Sequence, residues 1–121
     1  MMGQEIKNWW LQAKVDFDSA EYNFKGKRYY LCAFMSQQSV EKALKALLIK
    51  RTKDFPKIHD LTKLAKMVNA PLEIVELCAK INPAYIASRY PDTAKKYSKK
   101  ECTELLKYAK QVLEWIKKNL K

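Results

Sequence analysis

The sequence predicts an all-α fold: an antiparallel up-and-down helical bundle of about five helices, three of them main, with residues 1–121 forming a single domain. Three observations predict it. The 121 residues include only two glycines and four prolines, too few to build many hairpin turns. Lys, Leu, Ala and Glu dominate, and these are strong helix formers. Apolar residues recur at steps of three and four, the spacing that lines one face of a helix.

The elements follow in order. Ile6, Trp9, Trp10, Ala13, Phe17, Ala20 and Phe24 make a broad apolar stripe on a first helix that stops at Gly26. A second helix runs from about Lys27 to Arg51, where neither glycine nor proline intervenes, and KDFPK is the loop after it. Asp60 is the N-cap of a shorter third helix that turns Leu61, Leu64, Ala65 and Val68 inward. Pro71 suits the first turn of a fourth helix, LEIVELCAKI. Asn82-Pro83 starts a further short helix expected to reach Ser88, because Pro91 disfavours helical geometry at Tyr90. Ser98-Lys99-Lys100-Glu101 has the pattern of a capping box. Behind it Cys102, Leu105, Leu106, Ala109, Val112, Leu113 and Ile116 form the buried stripe of the last helix.

Charge and cysteine content bound the function. The chain carries 24 basic and 13 acidic residues, a formal net charge of +11, with a sequence pI near 9.6. Such a balance suits an acidic partner such as nucleic acid or a nucleotide, or else a lysine-rich solvated surface. Cys32, Cys78 and Cys102 are far apart, and each sits among apolar residues, so buried reduced thiols are expected. One histidine and no Cys/His ligand spacing leave no expected metal site, and no cofactor is expected. The start of the chain lacks the pattern of a signal peptide, and YYLCAFM is too short to span a bilayer. A soluble, cytoplasmic protein without membrane contact is the expectation.

The second helix carries an anomaly. Tyr30, Phe34, Gln37, Glu41, Leu44 and Leu48 share a face, yet Gln37 and Glu41 are polar. Buried polar groups need partners, and a buried carboxylate needs them most. Either a polar cleft lies there, or the face is rotated and Ala33, Val40, Ala43 and Leu47 form the true centre. Gln38, Lys42 and Lys45 flank the stripe, facing either that cleft or solvent.

The patterns QQSVEKALKALL, IHDL and INPAYIASRYP, in that order and spacing, resemble the HEPN family of small helical-bundle domains. The resemblance covers most of the chain. It implies a helical bundle, frequent dimerisation and association with nucleotides or RNA. It also implies, for free-standing members, a nucleotidyltransferase as protein partner. Some members are metal-independent ribonucleases that use an arginine followed, after four to six residues, by a histidine. Arg89 matches that arginine, but Ala94, Lys95 and Lys96 stand where the histidine belongs.

An arginine stabilises a phosphorane but exchanges no proton near neutral pH. The expectation is therefore a non-catalytic module that binds a nucleotide or RNA through Arg89, Tyr90, Lys95, Lys96, Gln37, Glu41, Lys42 and His59. Arg89 supplies a fork of donors for phosphate, and Tyr90 and Tyr97 supply stacking faces. A Glu41–Arg89 pair is the simplest way to satisfy the carboxylate. The rivals are a ribonuclease using Arg89, His59 and Glu41, and a structural interaction module in which Arg89 and Glu41 are internal staples. Association as a homodimer is expected through first-helix aromatics, because Trp9, Trp10, Trp115, Tyr29 and Tyr30 exceed what one small core needs.

Overall fold

The computed structural model describes residues 3–54, 56–87 and 96–121. Its helices are α1 (Gln4–Lys25), α2 (Tyr29–Thr52), α3 (Leu61–Met67), α4 (Leu72–Ile81), the single turn α5 (Ala84–Ala87) and α6 (Lys99–Leu120). The three main helices are α1, α2 and α6, and among the described residues there is no strand. The bundle expected from the periodicity is therefore present.

α2 is the central element. It is buried on both of the faces weighed above: Ala33, Val40, Ala43 and Leu47 are buried, and so are Gln37 and Glu41. The choice between one face and the other dissolves, because α1, α3 and α6 all pack around this helix. Small residues let α1 come close: Ala13, Ala20, Ala33 and Ala43 have no exposed surface. Ser39 Oγ donates across the gap to the Ala13 carbonyl at 2.8 Å.

Gly26 closes α1, and Lys27 then takes a left-handed conformation with φ of 61°, so α2 returns antiparallel. At the far end of α2, Arg51 Nη1 donates to the Val68 carbonyl and Nη2 donates to Asn119 Oδ1 at 3.1 Å. Lys50 Nζ reaches the Leu120 carbonyl at 2.7 Å. Two cations thus serve the last carbonyls of α3 and α6, where the helix dipoles are negative.

The connection after α2 retraces roughly four turns of that helix, because Gln37 Nε2 donates to the His59 carbonyl at 3.3 Å. α3 therefore starts low on the bundle and runs in the same direction as α2. α4 comes back antiparallel, and its end is tied to the start of α3. Leu61 N donates to Asn82 Oδ1 at 2.9 Å, and Asn82 Nδ2 donates to Asp60 Oδ1 at 3.0 Å. Asp60 also caps α3 as expected, accepting from Thr62 N and Lys63 N. The capping box of α6 is complete, with both Ser98–Glu101 bonds formed.

Ser88, at the expected end of the short helix, lies outside the described residues; the described turn ends at Ala87. All three cysteines are buried free thiols. Among the described residues no helix is long and apolar enough to cross a membrane. Trp10 is built into the core and Trp9 is partly buried against it. The first-helix tryptophans therefore fill the bundle, and Leu11, Val15 and Tyr22 are the large apolar side chains that α1 exposes.

Candidate functional site

The lower end of the bundle brings together α2, the segment before α3 and the corner from α4 into α5. Glu41 sits one helical turn above Gln37 and one below Lys45. Its Oε2 lies 3.1 Å from Lys45 Nζ, and the two side chains are 6% and 5% exposed. Two charges this deeply buried are tolerated because each neutralises the other. Gln37 is fully buried and fully used. Its Nε2 donates to Glu41 Oε1 at 3.2 Å as well as to the His59 carbonyl, and its Oε1 accepts from Gln38 at 2.7 Å.

His59 completes the cluster from the surface side. Its Nδ1 is 3.0 and 3.1 Å from the two oxygens of Glu41. A carboxylate only accepts, so Nδ1 carries the hydrogen and Nε2 of the neutral ring is an acceptor. Nε2 has no protein partner among the described residues, and the side chain is half exposed. One face of the imidazole stacks on Tyr85, with centroids 4.6 Å apart and planes at 15°. Tyr85 in turn leans on Phe34 of α2 at 6.5 Å. Carboxylate and stack together fix the ring in one orientation.

A cleft of about 480 Å³ opens beside this imidazole. His59, Asp60, Thr62 and Asn82 give it a polar side. Ala79, Pro83, Tyr85 and Ile86 give it an apolar side. The volume is within the range of small-molecule sites. Among the described residues no group of His, Cys, Asp and Glu could hold a metal ion.

The structure thus joins Gln37, Glu41 and His59 in one hydrogen-bonded unit. Lys42 is elsewhere: it is paired with buried Asp16 of α1 and does not line the cleft. Its tether is an acid that the α1 stripe, counted by apolar positions, passes over. Lys96 is exposed beside the start of α6. Arg89, Tyr90 and Lys95 lie outside the described residues. The partners of Glu41 among the described residues are Gln37, Lys45 and His59, and the arginine expected from sequence lies outside those residues. Tyr97 lines a separate groove between α4 and α6.

Three participants were not legible as such. Lys45 has the pattern of a flanking lysine, since a Glu–Lys pair four residues apart on a helix is ordinarily a surface feature. Asp60 was legible only as a cap. Tyr85, one helical turn after the Asn82-Pro83 start, carried no signal beyond its place in INPAYIASRYP.

No curated protein matches the chain. Two solved structures are similar over nearly their whole length. One is TT1696 from Thermus thermophilus, 25% identical with a TM-score of 0.88, covering 97% of this chain and 99% of that one. The other is ST0689, described as an archaeal HEPN homologue, 29% identical with a TM-score of 0.82, covering 98% of this chain and 100% of that one. The family model of the HEPN domain matches residues 6–120, so this chain belongs to the HEPN family.

Proposed function

We propose that the protein is a nucleotide- or RNA-binding HEPN module that does not cleave its ligand. The observation that carries this reading is the imidazole of His59. A buried carboxylate and a stacked tyrosine orient it, it lines an open cleft, and its Nε2 has no partner among the described residues. The net charge of +11 supports a phosphate-bearing ligand. Cleavage without metal needs both a base and an acid. His59 is the single histidine of the chain, and none follows Arg89 at the spacing that the nuclease branch of the family uses.

The test uses a short single-stranded RNA with the wild type, His59→Ala and Arg89→Ala. Each substitution is expected to weaken binding by about 1–3 kcal/mol if it removes a charge-assisted or site-forming hydrogen bond. The RNA should stay intact through long incubation in chelator. Unchanged affinity in both variants would favour the purely structural module.

One observation favours a second reading. Glu41 holding Nδ1–H, with no partner for Nε2 among the described residues, is the arrangement of a general base. Metal-independent cleavage that vanishes in His59→Ala would make the protein a ribonuclease, with Arg89 as its charge-stabilising partner.

For assembly we infer a homodimer, or a complex with a nucleotidyltransferase as the family resemblance implies. The line of Leu11, Val15 and Tyr22 along the outer face of α1 supports a protein contact there. Light scattering of the wild type and Val15→Glu distinguishes dimer from monomer.

A further inference from the structure

We propose that the cleft beside His59 receives the base of the ligand rather than its phosphate, and that the base it fits is guanine. The inference rests on the nucleotide-binding reading above and adds to it which part of the ligand is read, and by which groups.

Two successive residues that line the cleft, His59 and Asp60, each carry an acceptor. The first is Nε2 of His59, the acceptor of the neutral ring when Glu41 takes the Nδ1 hydrogen. The second is Oδ2 of Asp60. Its sister oxygen Oδ1 is occupied by Thr62 N, Lys63 N and Asn82 Nδ2, whereas Oδ2 has no protein partner among the described residues. These bonds fix the carboxylate in place, so it presents Oδ2 without further ordering. A carboxylate at this position repels a phosphate group and attracts N–H donors.

Two acceptors call for an edge with two adjacent donors. Guanine offers this arrangement, N1–H beside the N2 amino group. Adenine and cytosine each place a donor beside a ring acceptor, and uracil places its one N–H between two carbonyls. The remaining wall suits the flat faces of a base. Ala79 and Pro83 are apolar, and Ile86 is 56% exposed, an apolar surface that a ligand would cover. The stacked and fixed state of His59 keeps its acceptor in place before the ligand arrives.

The test measures binding of guanosine, inosine, adenosine, cytidine, uridine and ribose 5-phosphate by calorimetry or amide chemical shifts. Guanosine should bind most tightly. Inosine, which lacks the N2 amino group, should lose roughly 10- to 100-fold if that group donates to a carboxylate. Asp60→Asn should produce a similar loss for guanosine without weakening adenosine, because asparagine still caps α3 and its amide donor suits the ring acceptor of adenine. Inosine makes the same deletion on the ligand, so a poorly folded variant does not remove the test. Equal affinity for all five nucleosides, or ribose 5-phosphate alone binding at the cleft, overturns the base-reading cleft while RNA binding through phosphates still stands. Failure to bind any nucleoside or RNA overturns both readings.

Discussion

Glu41 shows how much one residue decides here. Its carboxylate is shared between buried Lys45, buried Gln37 and half-exposed His59. Removing it takes a countercharge away from the buried Lys45 ammonium, so Glu41→Ala should destabilise the fold by about 3–5 kcal/mol in urea unfolding. Replacing both partners, Glu41→Met with Lys45→Met, should cost far less, because no charge is then stranded. Equal losses for the single and double variants would mean that packing, not charge pairing, sets the cost. The sequence exposed Gln37 and Glu41 because each breaks an apolar stripe. It left Lys45 open between cleft and solvent, because lysine on a helix is ordinarily read as surface.

The cysteines supply a second test at this scale. Burial pushes Cys32 up to about 11, and Cys78 and Cys102 up to about 12, from an ordinary value of 9.0. Raised values mean that the folded thiols hold their protons when unfolded ones release them. This contribution to stability is fully present below pH 9 and is lost as pH rises toward 11 and 12. The native protein should resist alkylation at pH 8 and react at all three thiols in denaturant. Fast native labelling of any one would contradict its burial.

Among the elements, the helices and caps were the legible part. Ser98 and Glu101 sit three apart before an apolar run, a local rule that needs no tertiary knowledge, and both bonds form. Ser98→Ala should cost about 1 kcal/mol in thermal or denaturant unfolding, the usual loss for a hydroxyl N-cap. A change near zero would place the start of α6 under tertiary rather than local control. The route between α2 and α3 was not legible. Nothing in KDFPK says that the chain turns back along α2 to set His59 beside Gln37 and Glu41. That juxtaposition depends on long-range bonds, from Gln37 to the His59 carbonyl and from Asn82 to Asp60. The motifs QQSVEK, IHDL and INPAY therefore supplied the participants of the site, while their geometry came from how α3 and α4 close on α2.

At the scale of the molecule, charge is unevenly distributed. α1 carries three lysines against four acidic residues, whereas α6 carries six lysines against three glutamates. The net charge of +11 is thus borne by the remainder of the chain, and α1, like α4, is an element little repelled by a second copy or by another basic protein. The α6 side is where an RNA backbone gains most. Each phosphate neutralised on a single strand releases counterions and contributes a log–log salt slope of about −0.7. With roughly four phosphate contacts, affinity should fall on the order of 50-fold between 50 and 200 mM salt. Lys118→Ala, distant from the His59 cleft, should lower the slope by at most one contact and leave nucleoside discrimination unchanged. His59→Ala should do the reverse, weakening binding at every salt concentration with the slope retained. A slope near zero would mean that the lysines only solvate the surface, and it would remove RNA as the ligand even if a free nucleoside still occupied the cleft.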